Sequence, residues 1–124
     1  MTFNQFEIWL ADLNPQFGTE AGKVRPVLVV QTDLLNKIFH SSVLVCPITT
    51  NVISYTNPLR VHLAQGTANL HQDCDVMIDQ IRAIDSKRLI KKIGNLPQHL
   101  IQQVKENILI IFDFDYNNFS KHTS

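Results

Sequence analysis

The sequence has little that marks a compartment or a polyanionic partner. Its 124 residues hold only two cysteines, Cys46 and Cys74, each inside an apolar run, with no CxxC pair and no metal-like spacing to a histidine. A disulfide framework and a zinc site are therefore excluded as the basis of the fold, and both thiols are expected to be buried. Charge of one sign is missing too: eleven Lys and Arg balance eleven Asp and Glu. Nothing in that total attracts nucleic acid or a membrane surface, so any polyanion must be met by a local basic patch. No stretch approaches the ~18 consecutive apolar residues of a membrane span. The opening MTFNQFEIWLADL has no basic segment followed by an apolar stretch and a small-residue cleavage site. A cytoplasmic protein without membrane contact is expected. Internal repeats and low-complexity tracts are absent as well.

What is present suits one globular domain. Apolar residues make up 44% and charged residues 18%, and the length allows a single core but not two. The domain is expected over residues 1–114, with a polar tail, 115–124, that frays. Phe6 to Leu13 reads as a strand closed by Asn14 and Pro15. Asn14 to Val24, with Pro15, Gly18 and Gly22, reads as a long flexible loop, and long loops on a rigid sheet are where function sits. PVLVVQ, Pro26 to Gln31, is nearly continuously apolar and predicts a buried strand with Arg25 at its mouth. A helical turn at Asp33 to Lys37 leads to a third strand, Ser42 to Ile48, in which Pro47 suggests an edge or a bulge. Thr49, Thr50 and Asn51 are expected to follow that strand into a loop.

Leu59 to Leu63 alternates with period two, placing Leu, Val and Leu inward and Arg60 and His62 together on the other face. Asp75 to Ile84 is strand-like but broken by Asp79 and Gln80, which implies a bulge or a functional position. A helical turn at Ser86 to Leu89 and a short strand at Ile90 to Asn95 follow. Leu100, Ile101, Val104, Ile108 and Ile111 then recur every three or four residues, predicting an amphipathic helix with Pro97 at its first position. Five or more strands with one long helix imply an α+β arrangement of a compact antiparallel sheet or partial barrel.

Four segments in order resemble the MazF/PemK toxin family: EIWLADLNPQFGTEAGKVRP from Glu7 to Pro26, with its Gly-x-x-Arg-Pro step; CPITTN from Cys46 to Asn51; VMIDQIRAIDSKRLIKKIG from Val76 to Gly94; and the closing helix. The resemblance implies an SH3-like partial barrel of the CcdB/PemK type. It also implies a homodimeric endoribonuclease that cuts single-stranded RNA at a short sequence, needs no metal or other cofactor, leaves 2′,3′-cyclic phosphate and 5′-hydroxyl ends, and is restrained by a cognate antitoxin protein.

Within that resemblance Arg25 matches the family's catalytic arginine, a group that pairs two parallel donors with phosphate oxygens. Thr49 matches the threonine after the third strand, whose hydroxyl steadies an oxyanion without carrying charge. Some members have a histidine and a further arginine where this chain has Thr19 and Met77. Two carboxylates, Asp79 and Glu20, are then the candidates to orient the arginine or to accept a proton. Lys23, Arg60 and Arg82 are candidates for the RNA backbone, with Thr50 a second hydroxyl beside Thr49, and the amides of Gln80, Asn51 and Asn57 are candidates for base edges. Two other readings share the fold: a CcdB-like poison that traps gyrase without catalysis, and a degenerate toxin that binds without cleaving.

Overall fold

The computed structural model describes residues 2–38 and 40–115. Among these, β1 (Glu7–Asp12), β2 (Val24–Val29), β3 (Ser42–Thr49), β4 (Arg60–Leu63), β5 (Cys74–Met77), β6 (Arg82–Asp85) and β7 (Leu89–Asn95) form one antiparallel sheet. The order is β4-β5-β3-β2-β1-β7, and β6 pairs with β3 beside β5. A short helix, α1 (Asp33–Asn36), joins β2 to β3, and α2 (Gln98–Ile111) follows β7. The architecture is the expected α+β partial barrel closed by a C-terminal helix. No helix among the described residues is long and apolar enough to cross a membrane. From residue 116 on, the tail expected to fray lies outside the described residues.

The apolar run of β2 has a simple cause: both faces of the sheet are covered. Val27 and Val29 enter one core with Trp9, Ala11, Val43 and Val45, while Leu28 enters a second with Ile8, Ile48, Val61 and Val76. Helix α2 buries Val104 in the second core, with Leu100, Ile101, Ile108 and Ile111 packed beside it. Both cysteines are buried there as free thiols. Burial, reinforced by the negative charge of Asp79, pushes the Cys46 thiol up to about 12.

Several boundaries differ from expectation. Strand β2 begins at Val24, so Arg25 and Pro26 lie inside it, not at its mouth. Strand β3 runs through Thr49 and is internal, with β2 along one side and β6 then β5 along the other. Pro47 is tolerated there because β3 changes partner around it, pairing with β6 up to Val45 and with β5 from Ile48. Leu59 lies just before β4 and is exposed instead of inward. Pro97 caps α2 in extended conformation, one position ahead of the helix. The interruption at Asp79 and Gln80 is a bulge of unusual size: residues 77–81 stand against residues 46 and 47 of β3, and the excess is taken up by a 3-10 turn, Ile78–Gln80.

Candidate active site at the splayed ends of β2 and β3

The pairing of β2 with β3 stops at Val27 and Pro47. Pro26 and Pro47 both lack an amide for the ladder, so the strands part at this end. Between them opens a cleft of about 330 Å³ lined by Lys23, Val24, Arg25, Pro26, Ile48, Thr49, Thr50 and Asn51. The ends of two strands, distant in sequence, thus bring a guanidinium, an ammonium and two hydroxyls to one hollow.

The Gly-x-x-Arg-Pro step is the local reason Arg25 is held. A Cβ on Gly22 would lie 2.5 Å from that of Gln16, so only glycine lets the loop double back there. The Gly22 carbonyl then accepts a hydrogen bond from Arg25 Nε at 2.8 Å. The two terminal nitrogens of Arg25 have no hydrogen-bond partner among the described residues, which leaves the forked end of the guanidinium available. Burial lowers the Arg25 pKa, yet a guanidinium stays charged at any working pH. Lys23 adopts the left-handed conformation at φ 68°; its amide donates to Asn14 Oδ1 at 2.9 Å and its carbonyl accepts from Leu13 at 2.8 Å. Thr49 Oγ1 accepts the Asn51 amide at 3.1 Å. Its hydroxyl proton is free to be donated, so capping the turn and steadying an anion are compatible tasks.

Of the residues singled out in the sequence, Arg25, Thr49, Lys23, Thr50 and Asn51 share the cleft. Glu20 and Asp79 are exposed and do not line it. Gln80 and Arg82 face the loop between β1 and β2. Gln80 accepts the Ala21 amide at 2.8 Å and donates to the Thr19 carbonyl at 3.2 Å, and Arg82 donates to Ala21 O at 3.5 Å. Arg88, which sequence reasoning missed, donates to the carbonyls of Asp12, at 2.9 Å, and Asn14. The loop expected to be flexible is thus fastened along its inner side. Arg60 is engaged with Asp75 and the Asn51 carbonyl. Asn57 lies on a neighbouring hollow of about 440 Å³. A third hollow, about 520 Å³, shares Pro26 and Thr50 with the cleft and adds Leu10, His71, Lys91 and Lys92. The only sequence signal for these last lysines is the basic run SKRLIKK, which does not by itself say what they face.

A half-rolled antiparallel sheet, a covering helix and a basic cleft at splayed strand ends define a small β-rich protein whose cleft has the chemistry to meet an anionic group. Residues 4–112 match the family described as PemK-like, MazF-like toxins of type II toxin-antitoxin systems, and the chain belongs to that family. It is 36% identical over 118 residues to the endoribonuclease MazF of Staphylococcus epidermidis, covering 95% of this chain and 96% of that protein. It is 33% identical over 117 residues to the endoribonuclease EndoA of Bacillus subtilis strain 168, covering 92% and 100%. Its fold is shared by the solved MazE-MazF complex, form II, of Deinococcus radiodurans, with a TM-score of 0.72, 21% identity, and coverage of 93% and 99%.

Proposed function

We propose that this chain is a toxin endoribonuclease that cleaves single-stranded messenger RNA at a short sequence, without a metal, through the cleft between β2 and β3. The observation that carries this reading is the presence in one cleft of Arg25, with its forked end unpartnered among the described residues, and the Thr49 hydroxyl. Relatives covering nearly the whole chain are named endoribonucleases.

The cleft supplies the charge and hydrogen-bond donors the reaction needs, and solvent water takes the proton from the 2′-hydroxyl and returns one to the 5′-oxygen. The ribose 2′-oxygen attacks the adjacent phosphorus as its proton leaves, the bond from phosphorus to the 5′-oxygen breaks, and that oxygen takes up a proton. The products are a 2′,3′-cyclic phosphate and a 5′-hydroxyl. Arg25 binds two non-bridging oxygens, where charge accumulates in the transition state, and Thr49 donates to one of them. Neither Glu20 nor Asp79 lines the cleft, so water accepts the 2′-hydroxyl proton. Lys23 holds a neighbouring phosphate, and Asn51 and Thr50 face the bases. Arg25 and Thr49 standing together favour an active enzyme over a degenerate toxin or a gyrase poison.

The MazE-MazF complex shares this fold, which supports a cognate antitoxin as partner. A homodimer is supported by the exposed apolar end of α2, with Ile110, Phe112 and Phe114, where the two phenyl rings stack at 5.6 Å. The cytoplasm, where messenger RNA is translated, is the expected site of action. The test is chemical: an oligonucleotide cut at a mapped position should resist cleavage when that one nucleotide carries deoxyribose. Cleavage of the deoxy substrate would refute attack by the 2′-oxygen.

A further inference from the structure

The most deeply buried carboxylate among the described residues is Asp75, whose side chain is only 2% exposed. Three donors converge on it from β4 and the β3–β4 connection. Oδ2 accepts the Ile53 amide at 3.1 Å and Arg60 Nη1 at 3.1 Å, and Oδ1 meets His62 Nδ1 at 3.1 Å. Burial by itself would raise the Asp75 pKa; the Ile53 amide, His62 and Arg60 outweigh it and hold the carboxyl below its usual range. In the sheet register Asp75 stands directly opposite Thr49 on one side and His62 on the other. Arg60 Nη1 also donates to the Asn51 carbonyl at 2.8 Å. The Asn51 amide in turn donates to Thr49 Oγ1 at 3.1 Å. A continuous set of hydrogen bonds therefore runs from the buried carboxylate to the hydroxyl in the cleft.

We propose that Asp75 is a positioning residue: through Arg60 and the Ile53 amide it fixes the turn from Thr49 to Ile53 and so sets the direction of the Thr49 hydroxyl. This deepens the ribonuclease reading of the cleft and rests on it. Stability alone gives no reason for the arrangement, because a buried ion pair can be exchanged for apolar residues of similar volume at little cost or with a gain. What apolar residues cannot do is grip Asn51 O and the Ile53 amide at the two ends of one short turn. Arg60 is then occupied as a strut, not as an open contact for the RNA backbone.

The test uses the full chain with the paired substitution Asp75→Leu and Arg60→Met, which leaves no uncompensated buried charge, alongside Thr49→Val and the triple variant. Three quantities are read: amide hydrogen exchange at Asn51 and Ile53, thermal midpoint, and kcat and KM for RNA cleavage. The expected result is exchange at both amides faster by about tenfold or more, a midpoint within a few degrees of the original, kcat down by about tenfold or more, and KM within about twofold. In the Thr49→Val background the pair should cost less than about twofold further in kcat, since the strut acts through that hydroxyl. Unchanged exchange, full additivity with Thr49→Val, or a rise confined to KM would overturn the proposal. The Asp75→Asn variant, which keeps the side-chain volume, repeats the exchange measurement should the pair not fold. If the unaltered protein shows protected amides and no RNA cleavage, the ribonuclease reading fails while the exchange arm still decides whether the clamp exists.

Discussion

In the proposed reaction Arg25 and Thr49 divide the work of the cleft between charge and hydrogen bonding, and their substitutions should separate accordingly. Arg25→Ala is expected to lower kcat by about 10²- to 10³-fold, the usual loss on removing a preorganised donor from an anionic transition state. Its thermal midpoint should be unchanged, because within the protein the guanidinium is tied only by the bond from Nε to the Gly22 carbonyl among the described residues. Thr49→Ser should retain activity within a few fold, whereas Thr49→Val should lose about tenfold or more; loss in the serine variant with activity kept in the valine variant would mean that the methyl, not the hydroxyl, matters. With no imidazole lining the cleft, the logarithm of kcat should rise with pH between about 6 and 8 without an inflection near 6.5. Glu7 gives a separate pH effect. Burial opposes its ionisation, but the Asn4 amide, the Trp9 indole and Lys92 more than compensate and lower its pKa. A lowered folded-state value means that this stabilisation is present above the unfolded carboxyl pKa of about 4.3 and is lost as pH falls through the lower folded value. Glu7→Gln should therefore flatten the acid side of the stability profile, read by denaturant titration from pH 6 down to pH 3. Arg25 and Thr49, which share the cleft with Lys23, were singled out in the sequence by two short segments, Gly-x-x-Arg-Pro and CPITTN. The roles of Asp75 and Arg88 were not, since each depends on partners 13 to 76 residues away that only the register brings close.

Strand ends, not strand interiors, build the site. Two prolines stop the β2–β3 ladder, and a 3-10 turn between β5 and β6 carries Gln80 to the loop that ends in Gly22 and Lys23. Gln80→Ala removes two hydrogen bonds to that loop. It should speed proteolytic nicking within residues 15–20 severalfold and raise KM with little change in kcat; unchanged nicking would mean that Arg82 and Arg88 suffice. At Gly94 of β7 an added Cβ would lie 2.4 Å from the Ala68 carbonyl oxygen. Both partners are backbone and neither can give way cheaply. Gly94→Ala should cost about 1–3 kcal/mol in equilibrium unfolding. The order of elements could be read from hydrophobic period and turn residues, including the interruption at Asp79 and Gln80. Its size could not, because the number of bulged residues is set by the pairing of β3 with two successive partners. The start of β2 was misplaced for a related reason: Pro26 signals a strand beginning, but pairing with β1 extends back to Val24.

At the scale of the whole molecule, zero net charge means that affinity for RNA must come from a few local cations. With Lys23 and Arg25 as the phosphate contacts of one cleft, the logarithm of the RNA association constant should fall with the logarithm of salt at a slope of about −1.5, near −0.7 for each single-strand phosphate neutralised. A slope about twice as steep would bring Lys91 and Lys92 of the adjoining hollow into the binding path. Composition announced one domain-sized chain but not where its charge gathers, since the basic residues converge from β2, β7 and the loops only on folding. The measurement that bears most directly on the central claim is incubation of the purified protein with a long single-stranded RNA in a metal chelator, with the new ends mapped and the reaction repeated for Arg25→Ala. Cuts at one recurring short sequence, with 5′-hydroxyl ends and no cuts by the variant, are predicted. Cleavage that persists in Arg25→Ala, or none by the folded, antitoxin-free protein, would contradict the account.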